Sequence, residues 1–316
     1  MNAGVSVVIP AYNYAKYLGE TLTSVFAQTY APEEVIVVDD GSTDQTRRVV
    51  QGFSDPRLRY IYQSNQGLSA ARNTGIANAR YPYVTFLDAD DVWFPELLET
   101  AMQRFSQLPQ EFGVVATGWV RITMDGQFID RPNDPRKMLG SREIKASDIA
   151  VRTRFLSSGI IVRREVFEQV GGFNTTLRSS EDREMWIRIA RKRRIYFTQE
   201  PLAKIRRHGK SMSRNADRMR TNMRKVLAAY FRDTGVASPE RLKVFCKAYA
   251  FNQFEVGWMY YDEERFMEAI WAMMVSLFCW PCFFRARYDL NEPLFFRPRA
   301  LIRFICAACG IKHLHT

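Results

Sequence analysis

Residues 83–93 read YVTFLDADDVW and place three carboxylates within four positions, directly after an apolar run. These carboxylates belong to Asp88, Asp90 and Asp91. Side chains this close repel one another when ionised, and a divalent cation such as Mg²⁺ or Mn²⁺ relieves the repulsion, with a substrate phosphate completing its ligand shell. The structural alternative is a solvated acidic turn that precedes the helix predicted at Pro95. For a D-x-D segment taken alone, this alternative is the more frequent one.

A second acidic pair, Asp39 and Asp40, ends another apolar run and is followed by the letters GSTD. One carboxylate can accept hydrogen bonds from a nucleobase or a ribose hydroxyl. The other can cap the following helix, whose N-terminus carries partial positive charge. Pure capping is the alternative for the pair, and it is the role that we predict for Asp44.

The elements that position these residues alternate between strand and helix. Strands are predicted at 5–10, 34–39, 58–62, 83–87 and 114–123, with helices at 18–28, 44–50, 69–79 and 95–108 between them. Apolar strands that alternate with helices indicate a parallel sheet covered on both faces. Right-handed crossovers put the carboxyl ends of such strands on one edge, where ligands bind. Both acidic segments and the turn at 10–13 (PAYN) therefore share an edge.

Beyond residue 125 the pattern is less regular. Residues 125–147 are polar and rich in turn signals, which predicts a long surface excursion. A strand at 160–163, a helix at 179–194 and a helical region at 215–284 follow. Within that region, 257–261 and 266–277 resemble one tetratricopeptide-like helix pair, which is too little for a repeat array.

The formal net charge of +11 is unevenly distributed. Residues 1–110 hold eight Lys and Arg against twelve Asp and Glu, whereas the remaining residues hold 37 against 22. The basic part is expected to face an anion. No recognition motif supports nucleic acid, so we expect no such partner. The first residues lack a basic n-region and the cysteine count of five is odd, so we expect no signal peptide, no disulfide framework and a cytoplasmic location.

Five segments in order carry a family resemblance. They read VSVVIPAYNYAKYLGETLTSVFAQTY, EVIVVDDGSTDQT, NQGLSAARNTGIANARYPYVTFLDADD, VGGFN and SSEDREMWIRIA. Together, over about residues 5–215, they resemble the family 2 glycosyltransferases. The resemblance implies an α/β GT-A fold, a Rossmann-like and mostly parallel sheet flanked by helices, with an α-helical C-terminal extension. The expected catalytic domain is 1–215, with its nucleotide-sugar half at about 1–123 and its acceptor half at about 124–215, and the helical region is 216–316.

The resemblance also implies a role for each matching residue. The expected nucleoside pocket consists of Pro10, Ala11, Tyr12, Asn13, Asp39 and Asp40. The D-x-D pair Asp88 and Asp90 is expected to hold ribose and metal-diphosphate, with Asp91 sharing or taking the metal contact. Arg72 is expected near the base or the diphosphate, and His208 near the diphosphate or the metal. On the acceptor side, Asp182 is the expected general base, with Glu181 and Trp186 beside the acceptor. The structural alternatives are a surface arginine for Arg72, a partly buried histidine for His208 and a core position for Trp186.

The residue chemistry agrees with sugar transfer from a nucleotide-diphosphate sugar to an acceptor hydroxyl. Mn²⁺ or Mg²⁺ acts as a Lewis acid on the diphosphate, and basic groups such as Arg72 and residues 206–208 add positive charge. A carboxylate opposite the leaving group takes the acceptor proton, and a helix start keeps Asp182 ionised. One in-line displacement inverts the anomeric configuration. The alternative is that Glu181 and Asp182 only stabilise the start of the helix.

The expected acceptor is a growing surface polysaccharide or a lipid-linked glycan. A nucleotidyltransferase and a non-catalytic nucleotide-binding protein of similar fold are the alternatives. A nucleotidyltransferase requires a Gly-rich, Lys-containing loop after the first strand, and PAYNYAKYL has no glycine there. An aspartyl-phosphate phosphatase wants Gly-Thr after the second aspartate of its first strand, but Asp91-Val92 follows here.

The C-terminal region leaves two questions open. Cys279/Cys282 and Cys306/Cys309 have zinc-like spacing, although their apolar neighbours favour free thiols. Residues 269–284 carry no charge, are too short to span a bilayer and contain Pro281. Arginines follow among Phe and Leu. Interfacial attachment to the anionic inner face of the plasma membrane and an ordinary helical hairpin with a basic face are both consistent with this pattern.

Overall fold

The computed structural model describes residues 3–130, 142–207, 215–233, 238–281 and 296–309. The chain forms two units, which are considered separately. The sheet unit consists of residues 1–146 and 154–209, and the helical unit consists of residues 147–153 and 210–316.

The sheet unit contains nine strands in its described ranges. They are β1 (Val5–Ala11), β2 (Glu34–Asp40), β3 (Leu58–Gln63), β4 (Tyr83–Phe86), β5 (Val92–Trp93), β6 (Phe112–Ile122), β7 (Arg142–Ile144), β8 (Ile160–Arg163) and β9 (Arg194–Arg206). The helices up to residue 190 are α1 (Ala15–Phe26), α2 (Thr46–Gln51), α3 (Leu68–Asn78), α4 (Leu97–Gln107), α5 (Ala146–Val151), α6 (Arg164–Val170) and α7 (Glu181–Ala190). A 3-10 helix spans Ser157–Gly159.

The strands form one sheet in the order β3-β2-β1-β4-β8-β6-β9-β5, with β7 paired to β9. The β3-β2-β1-β4 part is parallel, as the sequence predicts. β8 enters antiparallel between β4 and β6, and β5 and β7 run antiparallel to β9, so the far part of the sheet is mixed. The predicted helix at 179–194 ends earlier, because β9 begins at Arg194 and pairs in parallel with β6.

The parallel part positions α3 against the centre of the sheet. β1 and β2 are buried along their whole length. A Cβ atom on Gly75 of α3 would lie 2.1 Å from Cγ1 of Val8, so α3 packs this closely on β1 only because residue 75 is glycine. Through this close approach α3 packs against β1 and its neighbour β2.

The helical unit consists mainly of α8 (Ala216–Asp233), α9 (Pro239–Asp262), α10 (Phe266–Cys279) and α11 (Phe296–Ala308). α9 and α10 contain the predicted helix pair, and α9 is much longer than predicted. Ser238 caps α9 by accepting a hydrogen bond from the Arg241 amide, with Pro239 in the first turn. Tyr260, Met273 and Phe304 lie in the core of this unit. Within the described ranges, no helix is long and apolar enough to cross a membrane.

Candidate active site

The three clustered carboxylates lie on the acidic turn, residues 88–91, which follows β4. The Asp91 amide donates to the Asp88 carbonyl at 3.0 Å and closes the turn. The buried hydroxyl of Thr21 on α1 donates to the carbonyls of Ala89 and Asp91 at 3.0 and 2.9 Å. The backbone of the acidic turn is therefore fixed by α1 as well as by the sheet.

Arg206, at the end of β9, holds the acidic turn from the other side. Its buried guanidinium donates to the carbonyls of Asp90 and Met124, both at 2.8 Å, and forms an ion pair with Glu20 at 2.6 Å. It also lies 4.9 Å from the ring centroid of Tyr17. Because these partners occupy the guanidinium, Arg206 supports the acidic turn; the sequence prediction that it adds charge at the diphosphate does not match this geometry.

Asp91 points into the protein. It is 4% exposed, and its Oδ2 and Oδ1 accept hydrogen bonds from the Ser158 hydroxyl at 2.5 Å and the Arg206 amide at 3.0 Å. Burial, followed by the charges of Asp90 and Asp88, raises the pKa of Asp91 well above its usual range. The metal contact predicted for Asp91 is therefore corrected, since protein donors take both of its oxygens. Asp88 and Asp90 are the partly exposed carboxylates of the turn.

Tyr14 belongs to this site, although the sequence analysis did not name it. Burial raises the pKa of its phenol, and the charges of Asp90, Asp88 and Asp91 raise it further. The phenol therefore lies within the electrostatic field of the acidic turn. Its position directly after the predicted pocket residues 10–13 was the available signal.

The turns after β1 and β2 form one rim. Asn13, in the left-handed region at φ 58°, accepts hydrogen bonds from the amides of Thr43 and Asp44 at 2.8 and 3.3 Å. The Asn13 amide donates to the Ser42 hydroxyl at 2.9 Å. Asp44 accepts hydrogen bonds from the amides of Ala15 and Thr46, at the starts of α1 and α2, which is the capping role predicted for it.

Of the other predicted pocket residues, Pro10 and Ala11 are buried within β1, where they pair with Val38 and Asp39 of β2. Tyr12 is 47% exposed on the rim. The structure therefore places Tyr12 and Asn13 at the surface of the edge and Pro10 and Ala11 beneath them.

Asp39 and Asp40 are buried beneath the rim and order its loops. Asp39 accepts hydrogen bonds from the Ser42 amide at 2.8 Å and the Tyr60 hydroxyl at 2.5 Å. Asp40 accepts them from the amides of Gln66 and Gly67 at 2.9 and 2.8 Å. Asp40 thus holds the chain entering α3, whereas the sequence analysis expected one of the pair to cap the helix after β2.

Arg72 on α3 joins the two halves of the site through ion pairs. Its Nη2 donates to Asp88 Oδ1 at 2.8 Å and its Nη1 donates to Glu181 Oε1 at 3.1 Å. We call these two ion pairs the Arg72 bridge. Arg72 is 2% exposed, so it is neither a surface arginine nor a group open to solvent. Burial lowers its pKa, but the charges of Asp88, Glu181 and Asp182 reverse this, and the pKa of Arg72 is raised overall.

Asn73 fixes the segment that supports Arg72. Its side chain donates to the Phe173 carbonyl at 2.9 Å and accepts from the Phe173 amide at 2.6 Å. A Cβ atom on Gly172 would lie 2.4 Å from Asn73 Oδ1, so this contact needs the glycine. The Phe173 ring lies 5.3 Å from the Arg72 guanidinium carbon, and the VGGFN segment therefore forms the floor of the bridge.

The start of α7 carries the two acceptor-side carboxylates. Ser180 precedes the helix in the left-handed region at φ 61°. Glu181 is buried, and burial followed by the charge of Asp182 raises its pKa. Asp182 is partly exposed, and its Oδ1 accepts a hydrogen bond from the Arg183 amide at 2.6 Å. Of the two, Asp182 is the carboxylate open to an incoming molecule.

The acceptor contacts predicted for Trp186 and Glu181 do not match the structure. Trp186 is fully buried, with its ring centroid 6.3 Å from that of Phe155 and 5.7 Å from that of Phe173. It is a core residue, which was the alternative. Glu181 is buried in the Arg72 bridge.

Two candidate metal sites include residues outside the described ranges. His208 lies outside them, as does Cys282, one of the four cysteines in the zinc-like pattern. Cys279, Cys306 and Cys309 have free thiols. Among the residues that the structure describes, no three His, Cys, Asp or Glu side chains form a group able to hold a metal ion.

Comparison with known proteins identifies the family. The Glycosyl transferase family 2 model matches residues 6–171. The putative teichuronic acid biosynthesis glycosyltransferase TuaG of Bacillus subtilis is 31% identical over 216 residues, which cover 67% of this chain and 82% of TuaG. An uncharacterized glycosyltransferase of Rickettsia conorii is 32% identical over 213 residues, covering 66% of this chain but 35% of the relative. The chain thus spans about a third of the length of this and similar Rickettsia relatives.

Two solved structures have the same fold. S. aureus TarS 1-349 in complex with UDP-GlcNAc aligns with a TM-score of 0.65 at 21% identity, covering 97% of this chain and 92% of the TarS 1-349 chain. The mannosyltransferase PcManGT from Pyrobaculum calidifontis, in complex with GDP-Man and Mn²⁺, aligns with a TM-score of 0.62 at 21% identity, covering 98% and 87%. These likenesses confirm the predicted GT-A fold. Since the family model covers more than half of the sequence, the chain belongs to the family 2 glycosyltransferases.

Proposed function

We propose that this chain transfers a sugar from a nucleotide-diphosphate sugar to an acceptor hydroxyl, with inversion at the anomeric carbon. The observation that carries the proposal is the Arg72 bridge. Its partners Asp88 and Glu181 lie 16 and 109 residues from Arg72 in sequence, yet one guanidinium binds both. A donor-binding turn and a carboxylate pair suited to proton transfer are thereby held in one site.

The rim after β1 and β2 is the proposed nucleoside site. Tyr12 offers an exposed ring on which a base can stack, and the hydrogen bonds of Asn13 fix the rim beside it. Asp39, 1% exposed, supports this site from beneath through its hydrogen bonds from the Ser42 amide and the Tyr60 hydroxyl.

Two carboxylates of the acidic turn suit a divalent cation whose remaining ligands come from the donor diphosphate. Asp88 and Asp90 offer partly exposed, hard oxygen donors of the kind that Mg²⁺ and Mn²⁺ prefer. Burial raises the pKa of the nearby Tyr14 phenol, and the charges of Asp90, Asp88 and Asp91 raise it further, so the turn carries negative charge that a cation can offset. When bound, the cation supplies charge neutralisation of the diphosphate leaving group. The complex of PcManGT with GDP-Man and Mn²⁺ supports this choice of ion.

Asp182 is the proposed general base. It lies in the first turn of α7, where the helix dipole stabilises the ionised carboxylate. The ion pair between Arg72 and the neighbouring Glu181 fixes the start of the helix and so orients Asp182. Asp182 takes the proton of the acceptor hydroxyl as that oxygen attacks the anomeric carbon and the nucleoside diphosphate leaves. Attack opposite the leaving group inverts the anomeric configuration.

The proposed acceptor is a cell-surface polysaccharide or a lipid-linked glycan. The name of TuaG, which refers to teichuronic acid biosynthesis, supports a surface polymer. A cytoplasmic location, on the inner face of the plasma membrane, is part of the proposal. The free thiols of the four described cysteines support a reducing compartment.

A thermal-shift screen of UDP- and GDP-sugars, each with and without Mn²⁺, tests this function. A donor at 100 times its Kd stabilises the folded chain by about 2.7 kcal/mol, which raises Tm by roughly 5–11 °C. We expect one donor to do so in a Mn²⁺-dependent way. Asp90→Asn should lose that dependence, whereas the exposed Asp125→Asn should keep it. A screen in which no nucleotide shifts Tm contradicts the proposal.

A further inference from the structure

The outward side of α10 carries large apolar side chains along its whole length. Met267, Trp271, Met274 and Phe278 are 70%, 60%, 43% and 89% exposed. Their spacing of four, three and four residues places them within about 60° of one another around the helix. We call these four residues the α10 outer face. The inner side of α10 packs in the core of the helical unit, so the helix is apolar on both sides.

Acidic residues predominate at the start of α10. Its single charged residue is Glu268, in the first turn, close to the acidic residues 262–264 and paired with Arg265 at 2.9 Å. Cations lie at the other end of α10. Because α9 runs antiparallel to α10, the part of α9 before Ala250 lies beside the end of α10, where the Ser276 hydroxyl donates to the Ala250 carbonyl at 2.7 Å. Lys247 Nζ lies 5.0 Å from the ring centroid of Trp280, and the exposed Lys243 is one helical turn closer to the start of α9. The most exposed residue of the face, Phe278, is therefore at the basic end.

We propose that the α10 outer face binds an anionic lipid bilayer. The apolar side chains enter the boundary between headgroups and acyl chains, led by Phe278, and Lys243 and Lys247 contact the headgroup phosphates. Aromatic and methionine side chains beside lysines suit this interface, because an ammonium group can reach the phosphates while the ring lies deeper.

The area of the α10 outer face argues against a second copy of the chain as the partner. Four such side chains at these exposures offer on the order of 500 Å² of apolar surface. A stable protein interface needs about 800 Å² from each partner. An anionic surface complements the lysines at the basic end.

Co-sedimentation of the full chain with vesicles tests the proposal. The vesicles are phosphatidylcholine alone or phosphatidylcholine with about 30% phosphatidylglycerol. We expect binding that requires the anionic lipid. Phe278→Glu should reduce the partition coefficient about tenfold or more, because it removes the most exposed apolar side chain and adds a repelled charge. Lys243→Gln and Lys247→Gln should each reduce it about fivefold.

The control is Ile129→Glu, which places the same charge on an apolar residue of the sheet unit that is 48% exposed. It should bind as the unchanged chain does. A second readout does not depend on the folding of the glutamate variant. Brominated acyl chains should quench tryptophan fluorescence in the unchanged chain, and Trp271→Phe should lose a measurable part of that quenching.

The proposal is overturned if the chain does not bind anionic vesicles, or if Phe278→Glu and Ile129→Glu bind equally well. Light scattering tests the competing possibility that the α10 outer face binds a second copy of the chain. A concentration-dependent dimer that Phe278→Glu dissociates would assign the α10 outer face to an interface between copies. Lipid binding is measured without donor or metal, so these outcomes are independent of the proposed glycosyl transfer.

Discussion

Replacing Arg72 by methionine tests the Arg72 bridge most severely. Methionine retains much of the buried volume and the contact with Phe173, but it removes both ion pairs. Glu181 would then be left with a side chain only 10% exposed and no cationic partner, next to the negative charge of Asp182. Asp88 would suffer less, because its side chain is 36% exposed and water can reach it.

The expected cost comes mainly from Glu181. Removing one partner of a buried ion pair typically costs about 3–5 kcal/mol. For a sheet unit of roughly 200 residues, this lowers Tm by roughly 6–20 °C at pH 7.5. The deficit should shrink as pH falls, because the pKa of Glu181 is already raised by burial and protonation removes the unpaired charge.

Thermal unfolding monitored by circular dichroism measures the effect, and a double variant isolates its cause. Glu181→Gln alone should cost about 1 kcal/mol. Arg72→Met combined with Glu181→Gln should recover about 2–3 kcal/mol relative to Arg72→Met alone, since no unpaired charge remains. Arg80→Met is the control, because Arg80 is 69% exposed and pairs with Glu34 at 3.7 Å; it should change stability by less than about 0.5 kcal/mol. An Arg72→Met variant that melts within about 2 °C of the unchanged chain, with no rescue by Glu181→Gln, would refute the reasoning.

Two further predictions concern packing and pH. Gly75→Ala should destabilise the sheet unit by about 1–3 kcal/mol, because the added Cβ would lie 2.1 Å from Val8 Cγ1; Gly19→Ala, where the nearest atom is 3.9 Å away, should not lower Tm. In the helical unit, hydrogen bonds from Tyr260 and Arg265 lower the pKa of Asp217 from 3.8. The stability that the ionised Asp217 carboxylate contributes is therefore fully present above the ordinary pKa of 3.8, and it is lost as pH falls through the lowered pKa of the folded state. Asp217→Asn should therefore reduce Tm at pH 7 but not near pH 2. Since Asp217 is exposed, the loss should be below about 1 kcal/mol, and equal losses at both pH values would contradict this assignment.

The sequence predicted the parallel half of the sheet because β1, β2 and β4 are apolar runs bounded by turn residues and β3 is a short segment rich in tyrosine and aliphatic residues. The runs that became β1, β2, β3 and β4 needed no knowledge of distant partners. β9 was missed because RIYFTQEPLAKIR mixes polar residues with apolar ones and follows a helix without a break. Its strand character comes from pairing with β6, about 80 residues earlier in the chain, and local patterns do not report such pairing.

Within the site, the sequence located the segments but not the direction of every side chain. The sequence predicted Arg72 near the base or the diphosphate, but not its ion pair with Glu181, 109 residues away. Asp90 and Asp91 look equivalent in sequence, and only Ser158 and Arg206 draw Asp91 inward. Side-chain direction in both cases depends on contacts between distant segments, which spacing alone cannot specify.

The central claim, that Asp182 removes a proton beside a donor held at the acidic turn, is tested by Asp182→Asn. Once a donor is known from the thermal-shift screen, water serves as the acceptor, and release of nucleoside diphosphate measures the rate. We predict that Asp182→Asn lowers this rate by about 10²–10⁴-fold, while the donor-induced shift in Tm and its Mn²⁺ dependence stay unchanged. NMR of the released sugar should show inversion in the unchanged chain. Undiminished release by Asp182→Asn, or a sugar released with retained configuration, would contradict the account.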